Sequence, residues 1–155
     1  FRLPNMSNLN TTCIGDWKAP KTRFPGSGGG NDLASLCRHS IIMTPQDRRR
    51  FAAKLDFVTS PGYLTGKGAR EAAGLPRGTG PHRVITNMAV MGYDEDTCRM
   101  KVLSINEGHT REEVIENTGF ELLFAEHLEV TKRPTKHELK ILREEVDPTR
   151  VIIGR

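Results

Sequence analysis

Arg23-Phe24-Pro25-Gly26-Ser27-Gly28-Gly29-Gly30-Asn31-Asp32-Leu33-Ala34 is the stretch on which the reading of this chain turns. Four of the five residues from Gly26 to Gly30 are glycine. Each glycine costs backbone entropy on folding, so such a cluster needs a reason. Lying between a strand and a helix, it lets a ligand approach the backbone closely and exposes amide N–H groups where negative charge is favoured. Two phosphate-binding patterns fail here. A dinucleotide fingerprint needs glycine at its first, third and sixth places, and the sixth place counted from Gly26 is Asn31. A Walker A loop needs Gly-Lys-Ser/Thr, but Gly66-Lys67 is followed by Gly68. Ser27 is not a nucleophile elbow, because Pro25 stands where the glycine two residues before it is required. What remains is an amide-lined pocket for an anion or oxyanion, or else a tight turn that packs strand against helix.

Working outward, Asn8 to Ile14 is β-branched and partly alternating, and reads as a strand. Leu33 to His39 reads as a short helix capped by Asn31 or Asp32. Ser40 to Met43 is a short apolar strand, and Thr44-Pro45 opens a basic helix through Arg48-Arg49-Arg50. Phe57 to Thr59 is a further strand. Residues 60–81 are rich in glycine and proline and form the longest loop, which marks them as functional or mobile. His82 to Val90 reads as one long strand that turns at Asp94-Glu95-Asp96 and returns over Arg99 to Ile105. Thr110 and Glu113 make a capping box for a helix ending near Gly119. Phe120 to Phe124 is a strand, and Thr135 with Glu138 opens a last helix that Asp147-Pro148 stops. Alternating strands and helices give an α/β class, with an open, largely parallel sheet flanked by helices. No internal repeat is visible.

The 155 residues fit a single domain spanning 1–155. A hydrophobic share of 36% with 27% charged residues is an ordinary globular balance and excludes disorder. The longest apolar runs are far too short to span a bilayer, so no membrane partner is expected. Phe1-Arg2-Leu3-Pro4-Asn5 holds neither an initiator methionine nor an apolar signal core, which leads to the expectation that the N-terminal part is missing. Net charge is +4, compatible with nucleic acid or with an anionic small ligand. Aromatic content is only 6%, and no aromatics interleave with the basic residues, so a nucleic-acid module is the lesser reading. Cys13, Cys37 and Cys98 are widely spaced with no CxxC pair, which points away from zinc and disulfides and toward a reducing cytoplasm. The five histidines have no ligand spacing, and no metal is expected.

The glycine stretch resembles the glycine-rich loop of the β subunits of glutaconate CoA-transferase and its relatives. More distantly, Gly26, Gly28, Gly29 and Asp32 match the Gly-x-Gly-Gly-x-x-Asp loop of the oxoacid CoA-transferases. Further segments follow in the same order as in those subunits: Arg49-Arg50-Phe51, Asp56 to Tyr63, Gly74 to Gly78 before His82 to Asn87, Asn117 to Phe120, and Leu142 to Pro148. The matches run from about Asn8 to Pro148.

The resemblance implies the C-terminal portion of a CoA-transferase-like subunit, paired with an α subunit across the active site. It implies transfer of CoA between an acyl-CoA, with dicarboxylyl-CoA the natural candidate, and a carboxylic acid. CoA is then a substrate, with no permanently bound cofactor. A glutamate attacks the thioester, giving an anhydride and then a glutamyl-CoA thioester, by covalent ping-pong catalysis. That glutamate lies before the glycine loop in the family, in a segment this chain does not contain, so the chain alone is expected to be inactive. The backbone amides of Gly28 and Gly29 would stabilise the oxyanion. Gly26, Ser27, Gly30, Asn31, Arg77 and His82 are the expected substrate- or CoA-binding residues. Arg77 sits on a rigid loop suited to a carboxylate or phosphate, or plays a structural part; His82 is a donor candidate or a surface residue at a strand start. The same family contains hydrolases and ring-cleaving enzymes of sterol degradation, which stand as the alternative activity.

Overall fold

The structure, a computed structural model, describes residues 1–152. A five-stranded sheet forms its centre, in the order β3-β4-β5-β6-β7: Ser40–Met43, Pro81–Ile85, Ala89–Tyr93, Met100–Asn106 and Leu123–Thr131. Two short strands, β1 (Cys13–Ile14) and β2 (Thr22–Arg23), pair antiparallel outside it. The helices are brief: α1 (Gly30–Leu36), α2 (Ala69–Ala72), α3 (Arg111–Glu116) and α4 (Lys136–Ile141), the last continuing as a π-type turn over Leu142–Val146.

The open α/β sheet matches the expected class, and its pairing pattern is mixed. Outer strands β3 and β7 run parallel to β4 and β6, whereas β4, β5 and β6 form an antiparallel meander. The cause is local. His82 to Val90 is not one long strand, because Thr86 folds it back. The Thr86 hydroxyl oxygen accepts from the N–H groups of Met88 (3.1 Å) and Ala89 (2.9 Å), and the Thr86 N–H donates to the Ala89 carbonyl. Serine and threonine make such turns by substituting a side-chain oxygen for a backbone acceptor.

Val84, Ala89, Met91, Met100, Val102 and Ile105 supply the sheet's part of the core, closed by Leu3, Phe51, Val114 and Leu122. Burial follows alternate residues up to Val102 and then skips to Ile105. A register shift beside Leu103 accounts for the skip, since one extra residue moves the following side chains to the other face.

Both capping boxes form as expected, at Thr110–Glu113 and Thr135–Glu138. The strand expected at Asn8 to Ile14 shrinks to Cys13–Ile14, and three further expectations change. Residues 44–50 make no helix: the Gln46 N–H donates to the Asn87 side chain and Gln46 Nε2 to Thr118, so tertiary bonds replace helical ones. Phe57 to Thr59 is no strand, although Leu9 bridges to neighbouring Ser60. The strand expected at Phe120 to Phe124 begins at Leu123 and extends to Thr131.

Candidate functional site

The glycine bend is held at both feet. On its N-terminal side, Phe24 N–H donates to the Thr12 carbonyl and Gly26 N–H to the Thr11 carbonyl. On its C-terminal side, Asn31 Nδ2 donates to the Thr59 carbonyl at 2.6 Å. Thr59 also ties down the first foot, with its hydroxyl accepting from Thr11 N–H and lying 2.7 Å from the Thr12 hydroxyl. Asn31 is therefore engaged across the loop and does not cap α1. The cap position is Gly29, with no side-chain bond, so the expected cap at Asn31 or Asp32 is replaced.

Between the feet the backbone is open. Gly26 and Gly28 have φ of +95° and +51°, in the region that side chains disfavour. No heavy atom lies within 4 Å of where a Cβ would sit on Gly26, Gly28 or Gly29. These glycines are thus not explained by close strand–helix packing. Gly28 and Gly29 are exposed, and among the described residues the N–H groups of Ser27, Gly28 and Gly29 meet no acceptor. The Ser27 hydroxyl donates to the Gly28 carbonyl at 3.0 Å.

The long 60–81 segment is held in part by a residue that sequence reasoning missed. Arg70, on α2, is 3% exposed. Its Nη1 donates to the carbonyls of Pro61 and Gly62, and its Nη2 to those of Ala34 and Ser35 and to the Thr79 hydroxyl. A cation on the last carbonyls of α1 suits the negative end of that helix. Burial lowers the Arg70 pKa, opposed by nearby Tyr63 and Glu71. Its Nε–H is buried without a partner among the described residues, an omission that typically costs about 1–3 kcal/mol. No sequence motif announces this clamp, because its acceptors are backbone carbonyls from two separate segments and a hydroxyl from a third.

Two cavities share His39 and Pro81, and the first of them borders α1. A largely apolar cleft of about 340 Å³ runs past Gly30, Leu33, Ala34, Ile42 and Pro61 to His39 and Pro81. His39 and Pro81 also line a polar cavity of about 320 Å³, with Arg38, Lys67, Arg70 and His82 among its walls. The His39 and His82 rings stack, with centroids 4.6 Å apart. Desolvation, then the charges of Arg83 and His39, push the His82 pKa below its ordinary value. Of the sequence candidates, Gly26 to Asn31 form one continuous bend, and Gly30 opens onto the apolar cleft. His82 belongs to the polar cavity, whose walls hold none of the bend residues. Arg77 is exposed and lines neither cavity.

Among the described residues no helix is long and apolar enough to cross a membrane. The B-type subunit of glutaconate CoA-transferase from Acidaminococcus fermentans is 43% identical over 146 residues, 94% of this chain and 54% of that protein. A crystal structure of glutaconate coenzyme A-transferase from that organism matches with a TM-score of 0.89 and 40% identity, covering 99% of this chain and 58% of the other. The B-type subunit of 3-oxoadipate CoA-transferase from Pseudomonas knackmussii is 41% identical, over 92% of this chain and 54% of that protein. The cholesterol ring-cleaving hydrolase IpdB subunit of Rhodococcus jostii is 36% identical, over 91% and 54%. The chain thus spans about half the length of the curated relatives it matches. Residues 1–117 match the family described as Coenzyme A transferase, and the chain belongs to that family.

Proposed function

We propose that this chain is part of the B-type subunit of a CoA-transferase, which moves CoA between an acyl-CoA and a carboxylic acid together with an A-type partner subunit. The carrying observation is the pair of exposed, unpaired amides at Gly28 and Gly29 on an anchored bend. Donors fixed in advance of the reaction stabilise developing charge without reorganising during it. In this reading the thioester oxygen rests on these two N–H groups as it becomes an oxyanion. Gly26, Ser27, Gly30 and Asn31 keep the bend in place, and His82 and Arg77 serve the more distant parts of the substrates.

The attacking carboxylate comes from outside this segment. It adds to the thioester carbonyl and expels CoA thiolate, leaving an acyl-glutamyl anhydride. The thiolate then attacks the glutamyl carbonyl, releasing the first acid and leaving a glutamyl-CoA thioester. A second carboxylate takes up the CoA by the same steps reversed. A dicarboxylyl-CoA is the preferred donor, in line with similarity to the glutaconate enzyme. Three free thiols suit a reducing cytoplasm.

The test uses the assembled two-subunit enzyme with glutaconyl-CoA and acetate. Acetyl-CoA formation is expected, with a mass increase on the enzyme corresponding to bound CoA. No exchange with any dicarboxylyl-CoA would refute the proposal. Similarity to the IpdB subunit favours a hydrolase or ring-cleaving activity as the second reading, marked by free CoA without an acceptor acid or by a ring-opened product.

A further inference from the structure

The polar cavity has a composition that the glycine bend does not explain. A buried guanidinium normally finds an acceptor for every N–H, yet Arg70 Nε–H has none among the described residues. It lies next to Gly80: a Cβ there would stand 3.3 Å from Nε, and Gly80 lines the same cavity. The remaining Arg70 donors are used on backbone carbonyls and one hydroxyl, so among the described residues the guanidinium charge has no carboxylate partner. Arg38, Lys67, His39 and His82 share the cavity.

We infer that this cavity binds the oxyanion group of a small molecule, a phosphate or a carboxylate, between Lys67, Arg70 and the stacked His39–His82 pair. Its volume of about 320 Å³ lies at the low end for ligand pockets, which fits an anionic headgroup and not a whole nucleotide. Glu71 and Glu95 stand on its walls and select against an anion, so three permanent cations face two carboxylates, with Tyr63 and Cys98 beside them. The histidines decide the balance. Protonating either ring adds positive charge, and Arg83 on the outer side of His82 opposes that step. A bound anion reverses the opposition, so binding takes up protons and tightens as pH falls through the histidine range. The inference does not rest on the transferase reading, since its test needs no acyl-CoA turnover.

The experiment titrates the protein with inorganic pyrophosphate and, separately, with glutarate, while NMR follows the ring C–H signals of all five histidines. The expected result is a saturable shift of His39 and His82 alone, with the His82 pKa rising by about one unit on binding and affinity about tenfold higher at the acid end. Response to pyrophosphate identifies a phosphate site, and response to glutarate a carboxylate site. Lys67→Ala, which breaks only an exposed pair with Asp96, weakens binding about tenfold while circular dichroism stays unchanged. His82→Gln reduces the pH dependence to the part that His39 supplies. The inference is overturned if neither anion moves the two rings, or if both variants fold and bind as the unaltered protein does.

Discussion

Replacing Gly29 by alanine separates the function of the bend from its folding. Gly29 has φ −77° and ψ 0°, which alanine adopts freely, and beyond its two chain neighbours no atom lies within 4 Å of the added methyl. Two small effects on stability oppose each other. Alanine restricts the unfolded chain, which stabilises by about 0.4–1 kcal/mol. It is also a poorer cap residue than glycine, by roughly 0.5 kcal/mol. The net change is within about 0.5 kcal/mol, a melting shift of no more than roughly 2 °C for a chain of this size. On the proposed role of the bend, the chemistry responds differently. An oxyanion must come within about 2.7–3.1 Å of the amide nitrogen, and the methyl sits beside that nitrogen. Displacing the reacting group by around 1 Å costs on the order of 10²-fold in rate. The assay is CoA exchange in the assembled enzyme, alongside calorimetry of the same preparation. A rate within twofold of the unaltered enzyme, at unchanged melting temperature, would refute the placing of the oxyanion at Gly29. Gly28→Ala is the poorer probe, because its φ of +51° adds backbone strain to any functional effect.

Gly62→Ala is expected to be severe for the opposite reason: its Cβ would fall 2.2 Å from the Met6 carbonyl oxygen and the Ser7 carbonyl carbon. That overpacking costs about 3 kcal/mol and lowers the melting temperature by roughly 10 °C in a thermal scan. Arg70→Met leaves the carbonyls of Ala34, Ser35, Pro61 and Gly62 without their donor; a loss of about 3–5 kcal/mol in urea titration is expected, together with faster amide exchange in α1. Arg70→Lys does not rescue it, since one ammonium cannot reproduce the planar fork. Hydrogen bonds from Thr97 and then from Lys101 hold the Asp94 carboxyl at about 2, against an ordinary 3.8. The folded value is the lower one, so its contribution is complete above pH 3.8 and is lost as pH falls toward 2. Asp94→Asn therefore gives a flatter urea midpoint across that interval, and an unchanged slope would count against the assignment.

The sequence disclosed those features whose causes lie close together in the chain. The boxes at Thr110–Glu113 and Thr135–Glu138 form as read, since each needs only two residues three positions apart. The ordered series of family segments carries the open α/β class for the same reason: it is written in short local runs. Misreadings arise where a distant partner takes a group that local rules assign elsewhere. Asn31 is a good cap by type, but its amide reaches Thr59. Gln46 sits in an apparent helix, but it bonds to Asn87 and Thr118. Thr86 is the exception, a local turn hidden inside a run whose β-branched residues read as continuous strand. Arg70 leaves no trace, because backbone carbonyls are supplied by every residue type. The glycine bend is legible as an exposed backbone feature, whereas its link to the apolar cleft depends on how α1 lies against Pro61 and Pro81.

The mixed pairing of the sheet also bears on the order of assembly. Strands β4, β5 and β6 join through turns of a few residues, so their contacts close small loops and lose little chain entropy. Joining β3 to β4 requires everything from residue 44 to residue 80 to be gathered first. Non-local pairings of that kind come late in folding. The meander is therefore expected to form first, and β3, with α1 and the glycine bend just before it in the chain, to join it afterwards. Pulse-labelled amides in β5 would be protected before those of β3, and mild destabilisation would free β3 while the meander still held.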